Sequence, residues 1–250
     1  MSKIIAIHSF RGGTGKSNIT ANLGYALAGA GRRVGVIDTD IQSPGIHVLL
    51  GGQPPAAQTL NDFLWGRAPI EAVARDVSAA VGLPPQRLFL IPSSMNMSDI
   101  AQVLKQGYDV GRLNQGFREL LTKLELQHLL IDTHPGLNEE TLLSIAVADL
   151  VLVVLRPDQQ DFQGTSVTVE VARRLRARRL LLVINKVSAA HDPAQVRRQA
   201  EEVFGCPVVG VLPLSPKLLE LGSADLCLRV SPREPWAQEL LHVVAALQAE

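Results

Sequence analysis

Lys3-Ile4-Ile5-Ala6-Ile7-His8-Ser9-Phe10-Arg11-Gly12-Gly13-Thr14-Gly15-Lys16-Ser17 reads as a short apolar strand followed by a glycine-rich loop. The stretch Lys16–Ala30 continues with Ile19, Leu23, Ala26, Leu27 and Ala30 at helical spacing. Strand, glycine-rich loop and helix, in that order, are the context a phosphate-binding loop demands. Glycines let consecutive backbone N–H groups curl around an anion. Lys16 can then reach the β- and γ-phosphates, and Ser17 can offer its hydroxyl to Mg²⁺ at the positive end of the helix. At ordinary residue frequencies, G-G-x-G-K-[ST] arises by chance on the order of once in a thousand chains of this length. The general form of the loop wants glycine where Phe10 stands, so the compact double-glycine form sets this loop apart.

Working outward, short β-branched or Leu-rich runs occur at Lys3–His8, Arg33–Asp38, Arg87–Ile91, His128–Asp132, Leu150–Leu155, Leu180–Asn185 and Val208–Leu212. Most are too uniformly apolar for a sheet with one wet face, so they predict buried, mainly parallel strands. Helices are predicted between them at Lys16–Ala30, Ser98–Gly107, Leu113–Leu124, Glu139–Ala148, Gly164–Arg176, Pro193–Phe204 and Pro235–Leu247. Alternating strands and helices imply right-handed crossovers. The expected fold is therefore a doubly wound α/β sheet, mainly parallel, with helices on both faces. No repeat, low-complexity tract or charge block marks a boundary, which predicts a single domain over residues 1–250. Such sheets bind ligands at the carboxyl ends of their strands.

Carboxylates stand at two of those ends. Asp38 and Asp40 leave the second strand one residue apart and cannot both be buried against the sheet. At least one must meet solvent, a cation or water, and neither needs an unusual pKa. His128-Leu129-Leu130-Ile131-Asp132 has the apolar-run-then-Asp form in which Asp132 reaches Mg²⁺ through a bound water. His134 is read as a loop hydrogen bonder rather than a base.

The composition narrows the function. Lys and Arg total 24 against 24 Asp and Glu, with 46% hydrophobic residues. That balance excludes a disordered chain and a histone-like binder, so any grip on DNA or anionic lipid must come from a local patch. Arg173, Arg174, Arg176, Arg178 and Arg179 form the one such patch, with Arg197 and Arg198 nearby in sequence. Cys206 and Cys227 are too few for a disulfide framework or a metal cluster. No apolar run approaches the roughly 20 residues of a membrane span, and the expectation is a cytoplasmic protein.

The loop Arg11-Gly12-Gly13-Thr14-Gly15-Lys16-Ser17 resembles the deviant Walker A loop, x-K-G-G-x-G-K-[ST], of the MinD/ParA family of P-loop ATPases. The pair Asp38-Thr39-Asp40 and its continuation through Pro44, Gly45 and Leu50-Gly51 resemble the MinD branch, and the likeness runs from Lys3 to about Pro216. It implies an ATPase that closes into a homodimer on binding ATP with Mg²⁺. Gly12, Gly13, Thr14, Gly15, Lys16, Ser17 and Asn18 would hold the nucleotide, and Ser17 and Asp132 the magnesium. Asp40 would orient the attacking water, and Asp38 would support the magnesium shell or the loop. Gly136 would sense the γ-phosphate. Asn185 and the loop at Pro213 would meet the base, adenine rather than guanine. The family's signature lysine falls at Arg11, which keeps the charge and would cross the dimer to the partner's nucleotide. Leu150–Asp161 resembles a segment of the family's dimer face.

The resemblance further implies a positioning switch for a cellular cargo, released with the help of an activating partner protein. Its surface would be nucleoid DNA, reached through the arginine patch, more readily than membrane. The Pro235–Glu250 end carries Trp236, Leu240, Leu241, Val244 and Leu247 without a Lys or Arg, which suits a core helix better than an anchor. The alternatives are a nucleotide-binding scaffold with little hydrolysis, and a P-loop amide ligase with a substrate pocket built from Met95–Gly116.

Overall fold

The computed structural model describes residues 2–51 and 58–249. Runs such as Ile4–Ile7 and Val151–Val154 place apolar side chains on both sides of a strand, so both faces of their sheet need cover. Eight strands provide that sheet: β1 (Lys3–His8), β2 (Val34–Asp38), β3 (Arg75–Asp76), β4 (Leu88–Ile91), β5 (His128–Asp132), β6 (Leu150–Leu155), β7 (Leu180–Val187) and β8 (Val208–Pro213). Their order is β3-β4-β2-β5-β1-β6-β7-β8. Every neighbouring pair is parallel except β3 with β4. Strand β1 lies between β5 and β6, with Ile7 beside Asp132 on one edge and Leu152 on the other. The register therefore brings the loop after β1 next to the carboxylate that ends β5.

The helices are α1 (Lys16–Gly29), α2 (Ile46–Leu49), α3 (Leu60–Leu64), α4 (Ile70–Val73), α5 (Met97–Gln106) and α6 (Val110–Lys123). They continue with α7 (Glu139–Val147), α8 (Gln159–Arg174), α9 (Pro193–Phe204), α10 (Pro216–Leu221), α11 (Cys227–Val230) and α12 (Pro235–Gln248). Ile5, Ile7, Leu23, Leu152, Trp236 and Leu240 share one core on the face covered by α1 and α12. Ala6, Phe117, Ile131, Ile145, Val153 and Phe204 share the other, under α6, α7, α8 and α9. The expected two-faced α/β fold is the observed one. Segment Pro235–Leu247 packs as a core helix, burying Trp236, Leu240, Val243, Val244 and Leu247.

Two helices begin three or more residues earlier than their apolar spacing predicts. Helix α8 starts at Gln159 rather than Gly164, because the Asp158 carboxylate accepts the Asp161 N–H at 2.9 Å. Helix α6 starts at Val110 rather than Leu113, because Asp109 accepts from Gly111 and Arg112. In both, a capping aspartate satisfies the orphan N–H groups of a polar first turn. Segment Met95–Gly116, considered as the wall of a substrate pocket, supplies α5 and half of α6, with Met97 and Leu104 exposed.

Arginines close the end of the sheet opposite the strand exits. Arg87 donates to Gly31 O beyond α1 (2.7 Å), and Arg33 to Leu124 O at the end of α6 (2.8 and 3.0 Å). Arg173 donates to Phe204 O at the end of α9 (2.6 Å), and Arg179 to Ala249 O and Ala246 O at the end of α12 (2.8 and 3.2 Å). Each cation meets carbonyls at the negative end of a helix, where it is favoured. Two of the five patch arginines are thus committed to the fold, Arg178 pairs with Asp149 at 2.9 Å, and Arg174 pairs with Glu170 one turn earlier. Arg179→Ala is expected to lower the unfolding free energy by about 1 kcal/mol in urea titrations. Arg174→Ala, which removes only a surface pair, should cost less than about 0.5 kcal/mol. Equal effects would remove the capping role.

Candidate functional site

Residues Ser9–Gly15 turn from β1 into α1, and neighbours hold the turn from both sides. Gly136 N–H donates to Ser9 O (3.1 Å), and the Ser9 hydroxyl donates to Arg11 O (2.9 Å). The Phe10 ring packs against α8 at Gly164, where an added Cβ would fall 2.0 Å from a ring carbon. Arg11 donates to Gln160 and lies 3.7 Å from Asp161, both also on α8. From the opposite side, Asn185 Nδ2 donates to Thr14 O (2.8 Å) and Lys186 Nζ to Gly13 O (2.7 Å). Gly15 has φ 91°, and a Cβ there would fall 2.5 Å from Asn185 Nδ2, so no other residue suits the position.

Beneath the loop, Lys16 is 6% exposed and donates to Asp132 Oδ1 at 2.7 Å. The Thr20 hydroxyl, one turn on, lies 3.2 Å from the same oxygen and 3.0 Å from Lys16 O. Asp38 is fully buried, and its two oxygens accept the N–H groups of Asp40 (3.0 Å) and Gly45 (3.1 Å). Burial, then the nearby Asp132 charge, pushes the Asp38 carboxyl up to about 8, against the expectation of an ordinary titration. Asp40 is less buried and is also raised, first by burial, while Lys16 and His134 pull it the other way. His134 Nε2 lies 3.8 Å from Asp40 Oδ1, and His134 Nδ1 lies 2.6 Å from Pro135 O.

His8 is fully buried at the end of β1, with its pKa driven down to about 3 by burial, then by Lys16 and His134. Its Nδ1 lies 2.9 Å from the Thr133 hydroxyl, which itself donates to Ile7 O at 3.0 Å. A hydroxyl has one hydrogen, so it accepts from His8, which is the Nδ1–H tautomer. The ring is a neutral strut between β1 and β5.

Two adjoining clefts open above this layer. Ser9, Gly12, Gly13, Thr14, Gly15, Lys16, Ser17, Asn18, Asp40 and Pro135 line one of about 220 Å³. Gly15, Asn18, Asn185, Lys186, Pro213 and Leu218 are among the residues lining another of about 260 Å³. The expected phosphate-side residues thus meet in one cleft and the expected base-side residues in its neighbour. Asp38 and Asp132 lie buried below, and Gly136 turns against Ser9. Arg11 points out of the cleft toward α8. Asn185 is engaged on both sides of its amide, because its Oδ1 also accepts from Trp236 Nε1 at 3.0 Å. Only one N–H and one lone pair are left to it. Sequence reasoning did not find Thr20, Gln160, Gly164, Lys186 or Trp236. Lys186 alone carried a local signal, standing directly after Asn185.

A nucleotide phosphate chain fits these residues. Gly13 and Gly15, both at positive φ, alternate with Thr14 and Lys16 as a concave anion nest requires. Among the described residues, the buried Thr14 hydroxyl has no hydrogen-bond partner. Magnesium takes few protein oxygens when phosphates supply the rest, and Ser17 beside the cleft with Asp132 beneath it is a donor set of that kind.

The profile of the CobQ/CobB/MinD/ParA nucleotide-binding domain matches residues 5–226. An uncharacterised ATP-binding protein of Methanocaldococcus jannaschii is 29% identical, over 99% of this chain and 88% of its own. A chromosome partitioning protein ParA of Caulobacter vibrioides is 31% identical over 70% of this chain, which spans 63% of that relative. In fold, the chain resembles the septum site-determining protein MinD of Pyrococcus horikoshii, a structure described as a complex with Mg-ADP. The TM-score is 0.83 at 22% identity, covering 99% and 96% of the two chains.

Asp38 gives the site a pH signature. Its carboxyl titrates near 3.8 when unfolded and at about 8 when folded, so between these values the folded state keeps a proton that the unfolded state releases. Stability therefore falls as pH rises across that window. The drop in melting temperature of the nucleotide-free protein from about pH 5 to about pH 8 is expected to be shallower in Asp38→Asn. Equal slopes would mean that Asp38 is ionised throughout.

Proposed function

Because the chain belongs to the CobQ/CobB/MinD/ParA family of nucleotide-binding domains, we propose that it is a single-domain, Mg²⁺-dependent ATPase whose ATP-bound form is a homodimer and whose hydrolysis reopens it. The observation that carries this reading is Lys16, buried on Asp132 beneath the Gly12–Ser17 loop and lining the phosphate-side cleft. A cation held beside a nest of backbone N–H groups has one evident use, the binding of a phosphate chain.

Each residue then has a task. The Gly12–Ser17 backbone and Lys16 hold phosphate oxygens, and Ser17 and Asp132 hold magnesium, which supplies charge neutralisation across those oxygens when bound. Asp40, at the rim of the cleft, orients the attacking water; His134 sits within reach to steady its carboxylate. In this conformation Arg11 rests on Gln160 and Asp161 of its own chain. That contact is half-exposed, and the stronger partner of Asp161 is Arg156, at 3.0 and 3.1 Å. Arg11 itself is half-exposed and 3.7 Å from a carboxylate that keeps Arg156, so leaving it costs about 1 kcal/mol at most and Arg11 is free to swing to a partner's nucleotide. Asn185 and Pro213 line the base-side cleft.

The job we assign to this switch is the positioning or partitioning of a cellular cargo in the cytoplasm, with hydrolysis prompted by a partner protein. The septum-site and chromosome-partitioning names of the relatives support it. If nucleoid DNA is the surface, Arg174, Arg176 and Arg178 are the contacts to test, since Arg173 and Arg179 close helix ends. No helix among the described residues is long and apolar enough to cross a membrane, and α12 already buries its apolar face.

Light scattering on Asp40→Ala should give a dimer with Mg·ATP, a monomer with Mg·ADP, and a monomer under both when Arg11→Ala is added. Turnover in Asp40→Ala should fall by about 10²-fold or more with ATP still bound. A monomer in every condition, with ATP binding confirmed, would contradict the switch.

A further inference from the structure

Asn185 is 2% exposed at the carboxyl end of β7, between the loop and α12. Its amide bridges them, Nδ2 donating to Thr14 O at 2.8 Å and Oδ1 accepting from Trp236 Nε1 at 3.0 Å. The orientation cannot be reversed, because an indole N–H only donates and a backbone carbonyl only accepts. Trp236, fully buried in the first turn of α12, therefore dictates which way the amide points. Beside it, Lys186 holds a left-handed backbone (φ 61°) and donates from Nζ to Gly13 O at 2.7 Å. Two consecutive loop carbonyls, Gly13 and Thr14, are thus drawn toward β7. An anion nest needs this arrangement, since a carbonyl turned into the cleft would set a negative dipole against phosphate.

We propose that Trp236 is a positioning residue for nucleotide binding: acting through Asn185, with Lys186 alongside, it keeps the Gly13 and Thr14 carbonyls out of the cleft. The claim rests on reading the Gly12–Ser17 loop as the phosphate site, and it makes the last helix part of that site. Without the indole N–H, Asn185 Oδ1 has lost its donor, and the amide is free to rotate off Thr14. The loop must then be ordered by the ligand itself, and affinity falls.

The test uses the full chain and Mg·ADP as probe, with calorimetric Kd and melting temperature read together. Trp236→Phe keeps a buried aromatic ring and removes the donor together with part of the indole's volume, which the melting temperature reads separately; its Kd is expected to rise by about three- to tenfold. Lys186→Gly keeps the left-handed backbone, removes an exposed amine, and should weaken binding to a similar extent. The double variant Trp236→Phe/Asn185→Ala should bind no more weakly than Asn185→Ala alone, because both changes break one chain of contacts. In a Trp65→Phe background, where Trp236 is the sole indole, Mg·ADP should perturb its fluorescence. A lowered melting temperature with unchanged Kd in Trp236→Phe would reduce the residue to core packing and overturn the proposal, as would losses that add in the double variant. If Trp236→Phe does not fold, unchanged Kd in Lys186→Gly overturns it. Failure of the wild type to bind Mg·ADP would instead overturn the nucleotide reading on which the proposal rests.

Discussion

A lysine ammonium that is 6% exposed can persist only with a counter-charge, and Asp132 supplies it at 2.7 Å. Breaking such a pair by removing one partner costs about 3–5 kcal/mol, because the other charge is left buried alone. The placement of that pair follows from the sheet. Strand β1 pairs with β5 in the register that sets Ile7 against Asp132, and α1 begins where the loop after β1 returns over the strand end. Asp38 and Asp40 enter from β2, which borders β5 on its other edge. Three carboxylates thus face one lysine. Burial resolves the imbalance by pushing the most enclosed of them, Asp38, toward its neutral form. On the proposed reading, a polyanion entering the cleft would compete with Asp132 for Lys16, and a divalent cation at Asp132 would compensate the carboxylate that Lys16 leaves. Nucleotide and magnesium binding would in this way be two halves of one exchange of charge.

The loop above the pair is held by contacts of different kinds on its two sides. On the α8 side they are a ring seated on a glycine and a half-exposed arginine resting on an exposed amide and on a carboxylate already paired with Arg156. On the β7 side they are buried, directional hydrogen bonds that end in an indole. Buried polar contacts are costly to leave unmade, whereas exposed ion pairs give way at little cost. The β7 side is therefore the fixed wall of the site, and the α8 side, which carries Arg11, is where movement costs least. The reach across a dimer proposed for Arg11 would start from that side.

Much of this could be read in the residues. The parallel sheet followed from apolar runs without alternation, and the phosphate loop from three residue types whose spacing serves one chemistry. The strand-end carboxylates followed from the rule that two of them cannot both be buried. Asp38 escaped in one respect, because its pKa depends on how deeply the chain buries it, and no local pattern records depth. Trp236 and Gly164 were invisible for a related reason: each acts on the loop across 51 or more residues of sequence, through an amide or a bare Cα that only the fold brings near. The arginine patch was legible only as a cluster: that Arg173 and Arg179 serve helix ends, formed by residues far along the chain, shows once the fold is in place.

The account stands or falls on Lys16 as the phosphate-binding cation. Calorimetric titration of Mg·ATP into Asp40→Ala, with and without Lys16→Gln, isolates that contribution without interference from turnover. Loss of a charge-assisted contact at the centre of the nest predicts an affinity lower by about 10²-fold or more in the Lys16→Gln protein, with the fold retained by melting temperature. Affinity within about twofold of the parent would contradict the account, and would leave the buried pair with Asp132 as no more than part of the core.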